Sequence, residues 1–100
     1  EVLSVPAFAG GAGIRSHRVL VTAAAVLERG LDTYEVTRAW ALADLAAVVR
    51  FVHEPLNFAL EFRAGPPAKF SSAERDTILA AVLDRAEALQ GRCLPCLPEP

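Results

Sequence analysis

Two cysteines give this chain its only recognisable short chemical motif, Cys93-Leu94-Pro95-Cys96. Their spacing suits a redox pair or half of a tetrahedral zinc site. A redox pair needs to follow a strand and open a helix, because the helix terminus lowers the thiolate pKa. Here a helical pattern precedes the motif and Leu97-Pro98-Glu99-Pro100 follows it. Zinc would need two further ligands, and the only histidines, His17 and His53, have no ligand-pair spacing between them. Cys93 and Cys96 are therefore candidate metal ligands only if another chain completes the set. The other readings are a local disulfide and an unremarkable tail.

His53-Glu54 offers an acid and a base side by side, but neighbouring positions on a helix do not face one another. His53 fits better near the negative pole of a helix end. Ser16-His17 pairs a hydroxyl with an imidazole without an elbow motif or an evident third group to orient them. No convergent catalytic set emerges, so the expectation is a non-enzymatic protein with no catalytic residues, no cofactor and no small-molecule substrate.

Composition points to partners instead. Hydrophobic residues make up 53% of 100 residues, and mean hydropathy is +0.32. A lone domain of this size buries only about two-thirds of the surface its unfolded chain exposes. Ten Lys+Arg against twelve Asp+Glu give a net charge of -2, with no basic field to neutralise phosphates. The alternative of a small dimeric helix-turn-helix-like DNA-binding regulator would use 41–53 as its second helix, with Arg15, His17 and Arg18 on phosphates. That helix carries chiefly Arg50 and much valine where groove-reading residues should stand. The apolar stretch 39–52 is shorter than the roughly 20 residues of a membrane span and contains Asp44 and Arg50, so no transmembrane span is expected. Two cysteines do not make the dense framework of a small secreted domain, which favours an intracellular or organellar setting. Glu1 to Gly13 lacks the charged leader and apolar core of a secretory signal.

Three principal helices are predicted to position these residues, making the fold mainly α and bundle-like. Residues 1–15 form an N-terminal arm, with Val2, Leu3 and Val5 followed by the glycine cluster Gly10, Gly11 and Gly13. The first helix, 17–29, takes Ser16 as N-cap, Val19/Leu20, Ala23/Ala24 and Val26/Leu27 as its stripe, and Gly30 as its end. The second, 33–54, opens on Asp32 and Glu35, breaks near Trp40, and is apolar around most of its girth from Ala39 to Val52. Leu56, Phe58, Leu60 and Phe62 alternate with polar or small residues, so 56–63 fits a short strand as well as a helix. Gly65-Pro66-Pro67 forces a restart. The third helix, 72–90, has Ser71 and Glu74 as a capping box, Ile78, Leu79, Val82, Leu83, Ala86 and Leu89 as its stripe, and Gly91 as its stop. Residues 16–91 then form one helical domain, and 92–100 a proline-rich tail.

Three such stripes cannot hide the second helix all round as well as four alternating apolar side chains. The surplus should meet another polypeptide. The expected function is protein-protein interaction or assembly, self-associating or accessory to a larger complex, with Trp40, Phe51, Phe58, Phe62 and Phe70 as interface candidates.

Overall fold

A computed structural model describes residues 3–9, 15–30 and 35–99, with the backbone alone at 8, 9 and 15–17. The elements are β1 (Leu3–Ala9), β2 (Arg15–Val21), β3 (Ala25–Gly30), β4 (Val36–Ala41), a 3-10 turn (Leu42–Asp44), β5 (Leu45–Phe51), β6 (Asn57–Phe62), β7 (Ala68–Ser71), α1 (Arg75–Gln90) and β8 (Cys96–Glu99). The chain is mainly β, not an all-α bundle. Of the three expected helices only the last is present.

The strands form one hydrogen-bonded sheet in the order β4-β3-β2-β1-β7-β6-β5-β8. Every pairing is antiparallel except β5 with β8. Laid flat, β4 and β7 would stand four strand spacings apart, or about 19 Å. Yet Trp40 of β4 touches Phe70 of β7 edge to face, with ring centroids 5.5 Å apart. The sheet has therefore curled into two facing layers. Phe70 also stacks on Phe58 of β6 at 5.5 Å. Val19, Val21, Val26, Val48 and Leu60 fill the rest of the interior, and Ile78, Leu79, Val82 and Ala86 close it from α1.

The helix expected over 17–29 is the β2–β3 hairpin. Val19 and Val21 point inward from β2, and Val26 does so from β3. Between them the Thr22 Oγ1 accepts from the N–H groups of Ala24 (3.2 Å) and Ala25 (3.0 Å), a side-chain turn that resets the inward parity. A period of two interrupted in this way imitates the i, i+3, i+4 spacing of a helix. The glycine cluster and Asp32 lie outside the described residues.

Over 35–54 the expected second helix is β4, the 3-10 turn and β5. The chain does change direction just past Trp40, but between two strands. Leu45 and Val48 join the main core, while Ala47 and Val49 are buried outside it. β5 lies between β6 and β8 and is buried on both faces from Leu45 to Val49, so its sequence is apolar apart from the exposed Arg50. A strand of this kind has the same composition as a helix apolar all round. Its neighbour at 56–63 is β6, with Phe58 and Leu60 facing the core.

α1 starts at Arg75 and ends at Gly91, whose φ of 71° and N–H bond to the Glu87 carbonyl (2.8 Å) make the left-handed stop. Its N-terminal hydroxyl is supplied by Ser72, because Ser71 ends β7. Ser72 Oγ accepts from the Glu74 N–H (3.0 Å) and donates to the Pro6 carbonyl (2.8 Å), tying the helix start to β1.

Candidate functional site

β4 is an outer strand: it pairs with β3 on one side, and no described strand lies on its other side. Register fixes which backbone groups look outward. The Leu42 N–H donates to the Ala24 carbonyl (2.9 Å), so residues of that parity, Trp40 and Arg38, direct their amides to β3. Antiparallel ladders alternate, which leaves the N–H and C=O of Ala39 and the N–H of Ala41 aimed off the open edge; the alternation stops at Arg38, where the register with β3 shifts and Thr37 is left over, and the Ala41 carbonyl caps the 3-10 turn. Proline and bulges commonly blunt such edges; this strand's sequence, Val-Thr-Arg-Ala-Trp-Ala, has no proline, and its one register irregularity, at Thr37, lies toward its N-terminal end and leaves the Ala39–Ala41 stretch regular.

Beside that edge lies a groove of about 250 Å³. One side is Ala39, Trp40 and Ala41; the other is Phe62, Ala64, Gly65 and Pro66; Asp44 is its only charged lining residue. Pockets for cofactors and drug-sized ligands run to about 300–1,000 Å³, so this one suits one or two side chains of a longer ligand. Trp40 is half-buried, packed inward on Phe70, with the Arg38 guanidinium 4.9 Å from its ring centroid. Arg38 is in turn fixed by the buried Glu28, donating to its carboxylate from Nη2 (2.9 Å) and Nε (3.3 Å), and Thr37 Oγ1 donates to the same carboxylate (2.9 Å).

The opposite wall is held just as firmly. Gly65 has a φ of 86°, which puts the turn ahead of Pro66 within glycine's range. The Arg63 N–H donates to the Asp44 carbonyl (2.9 Å) and its Nη1 to the Ala43 carbonyl (3.4 Å). Its Nη2 donates to Gln90 Oε1 (2.7 Å), and Gln90 Nε2 reaches the carbonyls of Leu42 (2.8 Å) and Leu45 (2.9 Å). The 3-10 turn, the wall and the end of α1 thus form one braced corner, and a ligand entering there meets a preformed surface.

A second depression, of about 430 Å³, is lined by Arg50, Val52, Arg75, Cys96 and Pro98. Arg75 is committed elsewhere: its Nη1 donates to the carbonyls of Phe51 (3.2 Å), Glu54 (3.1 Å) and Asn57 (3.1 Å). Arg50 pairs with Asp76 (3.2 Å). No general acid and base converge there.

The residues singled out in the sequence fall in several places. Trp40 and Phe62 line the groove together. Phe58 and Phe70 are 1% and 3% exposed and belong to the core, and Phe51 is half-buried at the end of β5. Cys93 and Cys96 are free and exposed, and no group of three or more His, Cys, Asp or Glu gathers among the described residues. His53 and Glu54 lie exposed in the β5–β6 loop, where Glu54 accepts from Asn57 Nδ2. The recognition helix expected at 41–53 is instead the 3-10 turn and β5, which removes the architecture of the DNA-binding alternative. Its phosphate contact Arg18 donates to Ser4 Oγ (2.7 Å). No helix among the described residues is long and apolar enough to cross a membrane.

Comparison with known proteins fits this architecture. No family model matches the chain. It is 40% identical over 83 residues to the DnaJ homolog subfamily C GRV2 of Arabidopsis thaliana, and spans 3% of that protein's length. Among solved structures it resembles the linker-DH/PH domains of p115-RhoGEF, with a TM-score of 0.75 at 11% identity over 88% of this chain and 29% of that one. The DH/PH domain of human ARHGEF11, solved with human RhoA, gives 0.75 at 8% identity over 86% and 28% of the two chains. The hSac2 domain of the human phosphoinositide phosphatase Sac2 gives 0.67 at 12% identity, covering all of this chain and 79% of that one. The fold of this chain is PH-like.

Proposed function

We propose that this chain is a non-enzymatic protein-interaction module that receives a segment of its partner in the groove beside β4. The observation that carries the reading is the open backbone edge of Ala39 and Ala41 beside the half-buried Trp40. A tryptophan of this kind supplies large apolar contact area at a small entropic cost, and such residues dominate binding energy at interfaces. The comparisons support a modular role: the chain corresponds to 28–29% of the RhoGEF chains and 3% of the GRV2 protein.

The test is a ten-residue random peptide library displayed against the wild-type chain and against Ala39→Arg. Position 39 is exposed, so arginine fits without disturbing the core while its side chain fills the groove. Binders selected on the wild type should lose at least tenfold in affinity for Ala39→Arg. Binders unaffected by the substitution, or a library that yields none, would sink the reading.

A further inference from the structure

We infer that the partner segment is an extended, apolar strand with a lysine or arginine near its N-terminal end, adding antiparallel to β4. This rests on the groove being the interaction site. The backbone supplies the first half of the argument. Ala39 presents its amide and carbonyl, and Ala41 its amide, on the side an added strand requires, and the four strands on this side of the sheet are already antiparallel. Ala39 and Ala41 are small and exposed, so no bulky side chain of β4 stands over the part of the groove they line opposite Pro66.

The wall favours one strand over a second copy of this chain. Ala64, Gly65 and Pro66 stand across the groove from Ala39, Trp40 and Ala41. Two copies meeting β4 to β4 would have to bring the partner's β3 and the strands behind it past that wall, whereas a single extended segment brings nothing behind it.

Charge supplies the direction. Asp44 is the one charged lining residue, it is exposed, and it lies in the 3-10 turn that follows the C-terminal end of β4. An antiparallel strand begins at that end, so its N-terminal residues come beside the carboxylate. Arg38 does not offset this charge, because its guanidinium is held by Glu28.

The experiment uses two labelled, N-acetylated peptides of alternating leucine and threonine that differ only in carrying lysine or glutamate at the second position. Affinity is read by fluorescence anisotropy on the wild type and on Asp44→Lys. The lysine peptide should bind the wild type about three- to tenfold more tightly, the preference should shrink in high salt, and Asp44→Lys should reverse it. Equal binding of both peptides, abolished by Ala39→Arg and indifferent to Asp44→Lys, would overturn the cationic partner while leaving the groove intact. Binding that survives Ala39→Arg, or no binding by either peptide, would overturn the groove and this inference with it.

Discussion

Arg75→Met is expected to cost this fold about 2–3 kcal/mol. Arg75 opens α1, is 8% exposed, and its Nη1 faces the carbonyls of Phe51, Glu54 and Asn57 at 3.1–3.2 Å. One nitrogen with two protons makes two full bonds at a time, and bonds to a charged donor contribute about 1.5–3 kcal/mol each, so the gross loss is roughly 3–6 kcal/mol. Two terms reduce it. The β5–β6 loop is exposed, so water replaces part of the lost donor; and Nε, which is buried without a hydrogen-bond partner, takes its own desolvation cost away with it. Methionine keeps most of the aliphatic packing. Urea denaturation followed by both far-ultraviolet circular dichroism and the fluorescence of Trp40, the single tryptophan, should show the midpoint fall with the slope unchanged. At about 4–8 °C per kcal/mol for a domain near this size, the melting temperature drops by roughly 8–24 °C. A loss below about 0.5 kcal/mol would refute the view that this side chain fastens the loop to the helix start.

Two further substitutions probe the frame of the groove. Arg38→Ala removes two charged donors from the Glu28 carboxylate, in a residue 3% exposed, while Thr37 Oγ1 still donates to it; with half of the Arg38 side chain in solvent, a destabilisation of about 1–2 kcal/mol is expected, with a shift of Trp40 emission as the cation leaves its ring. An unchanged unfolding midpoint would contradict this. Gly65→Ala meets no atom within 4 Å, so its cost should come from the backbone φ of 86° alone, about 1 kcal/mol. A neutral outcome in thermal melts would show that the turn does not hold that conformation.

How far the sequence determines its own reading can be followed element by element. α1 was legible because its signals are local: a hydroxyl before the first turn, a stripe at Ile78, Leu79, Val82 and Ala86, and Gly91 at the stop. The hairpin at 15–30 was not, because Thr22 resets the parity between Val21 and Val26 and two short alternations sum to a helical spacing. β5 misled for a different reason: covered on both faces, it lacks alternation altogether. Part of the apolar surplus that seemed to demand a partner is taken up by this second buried face at Ala47, Val49 and Ala59, while Val36, Val52, Leu56, Leu89 and Leu97 stay exposed. What remains for a partner is a smaller feature. Trp40 and Phe62, which line that groove, were singled out by residue type, whereas Ala39, Ala41 and Asp44 carry no signal in the sequence. Their importance comes from β4 being outermost, which is a property of strand order and not of local pattern.

Amide hydrogen exchange at β4, measured on the free chain and with the lysine peptide, tests the account most directly. In the free chain the Arg38 and Trp40 amides, bonded to β3, should exchange slowly, and those of Ala39 and Ala41 quickly. Saturating peptide should slow Ala39 and Ala41 at least tenfold while leaving the exposed amides of the β5–β6 loop unchanged. Fast exchange at Ala39 and Ala41 in the bound state, or protection appearing instead along β5 and β8, would contradict the claim that this edge is where the partner's backbone is received.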